Sequence, residues 1–191
     1  MNILEIFTNS ILLIITLDNE LWDIILLSLF VSFTALIIAS LLGFIVGYYF
    51  AIYNFYFKKI ILIIINSLMG IPPVVVGLIV YFIFASGGPL GILQLLYTPS
   101  AMIIAQTIII FPIIASLSHE IFSKNWFEFK DQIRSLNIPF WGSVKLLFNH
   151  SYFLLITTLL SAFGRAISEV GAVMIVGGNI DHYTRVMTTA I

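Results

Sequence analysis

Cysteine is absent, which excludes disulfides, thiolate zinc sites and a cysteine nucleophile. Charge is scarce and unevenly placed. Only 9% of the 191 residues are charged; none of these lies in 24–57 and none in 60–118. A helix in water needs a polar face, so lipid is the only solvent that suits such runs. The formal net charge of -1 offers no basic surface for nucleic acid. No basic residue precedes Lys58 and no small-residue cleavage site precedes Asp18, so the N-terminus does not read as a signal peptide. His119, His150 and His182 are too far apart for a local metal motif, and His119-Glu120 lacks the second His of a zincin helix. No nucleophile elbow, phosphate loop or pair of acids in a soluble cleft is found either. A chain of this kind that transports against a gradient must borrow its energy.

What is present is apolar: 61% of residues are hydrophobic and the mean hydropathy is +1.14. This predicts an all-α membrane protein with room for about four or five spans of ~20 residues. Residues 3–17, interrupted by Glu5 and Asn9, read as an interfacial segment, with a true span as the alternative. The first span is expected at 24–49, where Ser28, Ser32, Ala35, Ala39, Gly43 and Gly47 form a stripe for close helix packing. The second is expected at 60–84, followed by a turn at Ser86-Gly87-Gly88-Pro89 and a loop or re-entrant piece at 90–97. Thr98-Pro99 reads as a helix cap followed by Pro at the first helical position, opening a third span to Leu117. A fourth is expected at 151–176, stopped by Gly177-Gly178. Lys58, Lys59, Lys124, Lys130, Arg134 and Lys145 fall in two loops separated by two spans. The positive-inside rule then places the N-terminus outside, the 120–145 loop in the cytoplasm and the C-terminus outside.

Three places depart from an ordinary apolar span. Pro72-Pro73 removes two backbone donors within 69–77, so a helix must bend or break there. Such a break serves either as a packing kink or as part of a polar pathway; Pro112 is a weaker instance. Arg165 and Glu169, four apart, can pair on one helix face. Charges at membrane depth cost roughly 2.5–3.5 kcal/mol on insertion scales, so the pair reads as a gate element or pathway lining, or else as a neutral glue between helices. Ser161, Gly164, Ser168 and Gly171 make the same segment small and polar. Finally, 126–141 mixes aromatics with charges around a turn at Asn137-Ile138-Pro139. That pattern suits an amphipathic helix on a partner's surface or one resting on lipid headgroups.

These residues carry a resemblance. Leu68-Met69-Gly70-Ile71-Pro72-Pro73-Val74-Val75-Val76-Gly77-Leu78, then Gly87-Gly88-Pro89-Leu90-Gly91 and Thr98-Pro99-Ser100-Ala101-Met102-Ile103-Ile104-Ala105-Gln106, closely resemble the permease subunit of tungstate ABC importers. More loosely, they are similar to molybdate permeases. Ala162-Phe163-Gly164-Arg165-Ala166-Ile167-Ser168-Glu169-Val170-Gly171-Ala172 and Gly177-Gly178-Asn179-Ile180 resemble the late-helix signature of both. The resemblance implies a type I ABC importer permease, a helical bundle in the bacterial or archaeal inner membrane. Four spans are expected here, with one further span beyond Ile191 lost by truncation. Residues 1–23 would be the extracytoplasmic or interfacial segment, and 24–191 the permease domain with a coupling loop at 119–150.

The implied partners are a second copy of the chain, an ABC ATP-binding subunit dimer carrying ATP and Mg, and an extracytoplasmic tungstate-binding protein. No cofactor is expected on this chain, and no catalytic residue. Pathway or gate roles are implied for Pro72, Pro73, Gly77, Arg165, Glu169, Gly171 and Asn179. Asp131, Gln132, Ile133 and Asn137 fall on the family's Glu-Ala-Ala…Gly coupling motif, with Pro139 in the same ATPase coupling loop. Here Asp replaces Glu, Gln-Ile replaces Ala-Ala, and Asn replaces Gly, a residue that also tolerates a left-handed turn. A molybdate or sulfate permease is the alternative within the family. An ion-coupled secondary transporter and a membrane anchor subunit are the alternatives outside it.

Overall fold

The computed structural model describes residues 19–190, so the interfacial segment expected at 3–17 lies outside the described residues. Those residues form helices and turns, with no strand among them. Helix α1, Asn19–Ile52, contains the first expected span. Its 34 residues rise ~51 Å, well beyond the ~30 Å of a bilayer core. The whole small-residue stripe from Ser28 to Gly47 is buried. It packs on α4, Pro99–Ser135, closely enough that a Cβ on Gly43 would lie 2.8 Å from Ile114 Cγ2. Ser118 Oγ donates to the Gly43 carbonyl at 3.3 Å across the same contact. Phe30, Ile37, Leu41 and Ile45 face outward, as lipid requires.

The α4 helix begins where its sequence says. Thr98 is extended and its hydroxyl accepts the Ala101 N–H, with Pro99 in the first turn. Thr98→Ala is expected to cost about 1 kcal/mol, read as a fall of about 2–4 °C in Tm. Pro112 does not break this helix; it is buried, and α4 passes through it without interruption. Nor does α4 stop at Leu117. It runs on to Ser135 as one 37-residue rod of ~55 Å, carrying Glu120, Lys124, Glu128, Lys130, Asp131 and Arg134 out of the apolar layer. The separate amphipathic helix expected at 126–141 is therefore the end of α4, a turn at 136–139 and the start of α5, Phe140–Ile167.

The two remaining spans are both broken. Helix α2, Lys58–Leu68, and α3, Pro73–Phe84, meet at a bend of 103°. The expected fourth span at 151–176 is corrected at both ends. α5 starts at Phe140 and ends at Ile167, and a separate seven-residue helix α6, Gly171–Gly177, follows three residues later. No proline marks this second break; Ser168 Oγ instead donates back to the Arg165 carbonyl at 3.1 Å, a local bond that competes with the helical ladder. Gly178, at φ 73, ends α6 in the left-handed conformation that glycine adopts freely. Among the described residues, three helices are thus long and apolar enough to cross a membrane, making four spans if the bent pair is one span.

Beyond α6, residues 179–190 form a strap. Thr184 Oγ1 donates to the Gly177 carbonyl at 2.6 Å, and the Met187 N–H donates to Ser28 Oγ at 2.7 Å. Val186 joins Val31, Ala35, Met102, Ala166 and Val173 in the main core. A second, aromatic core gathers Tyr48, Phe122, Leu147 and Phe148 near the charged end, where the Tyr48 hydroxyl bonds Ser143 Oγ at 3.1 Å.

Candidate pathway site at two broken helices

The two breaks face one another. At the first, Pro72 is extended (ψ 129) and Pro73 opens α3. Without N–H groups, neither proline can donate to the carbonyl one turn back, and α2 ends instead in tight bonds from Gly70 to Ser67 and from Ile71 to Leu68. At the second, the Ala166 carbonyl accepts from the Glu169 N–H and from Gln106 Nε2 of α4 at 3.1 Å. A lipid-embedded break survives only where such partners are supplied. The half-helices that follow the breaks, α3 and α6, pack against each other through glycine. A Cβ on Gly77 would lie 2.8 Å from Ala172 Cα, and one on Gly171 would lie 2.7 Å from Val74 Cγ2.

Between the breaks lies a cavity of about 290 Å³ lined by Leu68, Met69, Ile71, Val76, Pro112 and Arg165, among others. Its walls are otherwise nearly all apolar, and Arg165 is the one charged residue among them. Arg165 pairs with Glu169 at 3.7 Å, a contact longer than a hydrogen bond. The pairing was expected along one helix face; the structure places Glu169 past the end of α5, at the break itself. Glu169 is 4% exposed and Arg165 39%, so the acid is locked and the base is half free. The carboxylate also accepts the Ala172 N–H at 3.2 Å, and the backbone carbonyl of Glu169 accepts from Thr188 Oγ1 of the strap at 2.9 Å.

Most of the residues singled out in the sequence therefore converge. Pro72 and Pro73 form one break, Arg165 and Glu169 the other, and Gly77 and Gly171 join the two half-helices. Of these residues only Arg165 lines the cavity itself. Asn179 lies outside both breaks. It sits beyond α6 at φ 50 with its Oδ1 buried. Sequence reasoning had no role for Gln106, although its amide holds the second break, nor for Thr107, which shares the cavity with Arg165. Thr157 and Ser161 on α5, with Ser168 just past its end, form an exposed hydroxyl stripe at spacings of four and seven. Thr157 and Ser161 also line a groove of about 540 Å³ shared with Lys124, Asn125 and His150, which carries the stripe toward the charged end.

The residues matched to the coupling motif lie at the far end of α4. Asp131 and Gln132 are exposed and Ile133 is buried. Ile138 N–H donates to the Ile133 carbonyl at 3.0 Å, while Asn137 at φ 50 takes the left-handed position after the helix end. Pro139 then leads into α5. Leu136, Phe140 and Trp141 are exposed around this turn, at 72%, 50% and 78%, an apolar surface outside the spans. Asn137→Val is expected to lower stability by about 1–2 kcal/mol, because a β-branched residue resists positive φ, whereas Asn137→Gly should leave it nearly unchanged. Thermal melts of the two variants check this.

No family model matches the chain. Curated relatives do. It is 40% identical over 189 residues to the tungstate uptake system permease protein TupB of Peptoclostridium acidaminophilum, covering 99% of this chain and 83% of that one. A probable anion ABC transporter permease protein of Haloferax volcanii is 38% identical over 86% of this chain and 73% of its own length. The tungstate uptake system permease protein TupB of Campylobacter jejuni is 39% identical over 73% of this chain and 58% of its own. With an all-helical, multi-spanning fold and this extent of identity, the chain belongs to the family of tungstate-type ABC transporter permease subunits.

Proposed function

We propose that this chain forms the pathway of an ATP-driven importer that carries tungstate into the cytoplasm. The observation that carries the reading is the single cation, Arg165, set in an apolar cavity between two broken helices. A tetrahedral dianion crossing the membrane needs attraction without capture. Glu169 offsets the Arg165 charge at 3.7 Å, so the site favours the anion without holding it tightly. The relatives named for tungstate and for an anion support the substrate class.

The working unit on this reading is a homodimer in the inner membrane, with the N-terminus of each copy outside. An extracytoplasmic binding protein delivers the anion. Two ATP-binding subunits, which carry the ATP and Mg, engage the 131–139 turn and its exposed Leu136, Phe140 and Trp141. ATP binding closes those subunits, the turn moves, and α4 and α5 transmit the motion to the breaks. The anion then descends past Ser161 and Thr157 toward Lys124 and His150.

The test is cellular tungsten content in a strain lacking its tungstate permease, with and without this chain, under excess molybdate and then excess sulfate. Restored accumulation that survives both competitors supports the reading. Restoration abolished by molybdate moves the assignment to molybdate. Uptake that collapses with an uncoupler while ATP is maintained would replace it with an ion-coupled transporter.

A further inference from the structure

Behind the Arg165–Glu169 pair lies a second, much smaller cavity lined by Ser28, Ser32, Gln106, Glu169 and Thr188, with Val31, Ile167 and Val186 closing it. About 10 Å³ is open to the centre of a water molecule, room for one. Gln106 and Glu169 are 5% and 4% exposed, so bulk water does not serve them. The amide orientation of Gln106 is fixed: its Nε2 donates to the Ala166 carbonyl at 3.1 Å, and the reverse orientation would set two acceptors against each other. Its Oε1 is therefore an acceptor, buried, and without a donor among the described residues.

Gln106, with its unmet acceptor, and Glu169, with its carboxylate, thus line one small chamber. Leaving a buried acceptor unmade is costly, so the chamber calls for a species with two donors. We infer that Gln106, Glu169 and Ser32 bind a single structural water. It donates one proton to Gln106 Oε1 and the other to a Glu169 carboxylate oxygen, and it accepts from the Ser32 hydroxyl. In this arrangement the water links α1, α4 and the second break. The inference rests on donor and acceptor chemistry alone and holds whether or not the transported anion is tungstate.

The experiment is a high-resolution structure of the full protein in lipid nanodiscs, determined once in sodium and once in potassium salt. The expected result is an isolated peak at about 2.7–3.2 Å from Gln106 Oε1 and a Glu169 oxygen, unchanged between salts. Shorter contacts that appear only in sodium would make the ligand a cation and overturn the inference. So would Gln106 Oε1 bonded directly to Glu169, together with a carboxylic-acid infrared band that vanishes in Glu169→Gln. Gln106→Leu adds a second check: it should abolish the peak and lower Tm, and a peak that persists unmoved would overturn the assignment of Gln106.

Discussion

Glu169→Ala is expected to lower transport at least tenfold and to reduce Tm by several degrees. The substitution removes two things at once. Arg165 loses its counter-charge, which on insertion scales costs roughly 2.5–3.5 kcal/mol at the centre of a bilayer and less here because the guanidinium is 39% exposed. The Ala172 N–H also loses its acceptor, worth about 1–3 kcal/mol if nothing replaces it. Glu169→Gln separates these, since an amide oxygen can still accept from Ala172 while the charge is gone. It should keep most of the stability and lose most of the transport. A double variant with Arg165→Ala should recover part of the lost Tm, because the pair is no longer half made. Strictly additive losses would mean that the two residues do not act together, and normal transport by Glu169→Gln would remove Glu169 from the pathway.

Gly77→Leu is expected to be more damaging still, with transport lost and the folded yield sharply reduced. Even a single Cβ at this position would stand 2.8 Å from Ala172 Cα, a backbone atom that cannot rotate away. Overpacking a tight contact costs about 1–3 kcal/mol where neighbours can adjust, and more where they cannot. The only relief is to part α3 from α6, which opens both breaks. Gly87→Leu is the matched control, since nothing lies within 4 Å of a Cβ placed there. If the two variants behave alike in yield and uptake, the α3–α6 contact is not what holds the site.

The features legible in the sequence were those imposed by a residue's own covalent chemistry. Pro72-Pro73 breaks its helix because neither residue has an N–H to give. The stripe from Ser28 to Gly47 packs because in lipid only small side chains let backbones approach. Asn137 takes the left-handed turn its side chain tolerates. The second break was not legible, since 151–176 contains no proline. What sustains it comes from elsewhere in the chain: Gln106, 60 positions away, bonds Ala166, and Thr188, 19 positions away, bonds Glu169. The length of α4 was hidden for a different reason. A helix leaving the membrane acquires the charged composition of a solvated loop, so the loop expected at 119–150 begins inside α4. The meeting of Arg165 with Met69 and Ile71 follows only from the packing of α3 on α6.

The brevity of α6 bears on how the protein is made. Seven residues rise ~10 Å, too little to cross a bilayer or to hold helical form alone. During synthesis this segment cannot partition into lipid by itself, because its backbone groups would be left bare. It must wait until α3 is in place to receive Gly171 and Ala172. The strap at 179–190, anchored to Ser28 of α1, follows α6 in the chain and packs on helices made before it. Membrane insertion of the long helices and docking of α6 are therefore separate events, and a released chain that ends before the strap should be embedded in the bilayer yet remain open to proteolysis around residues 168–178.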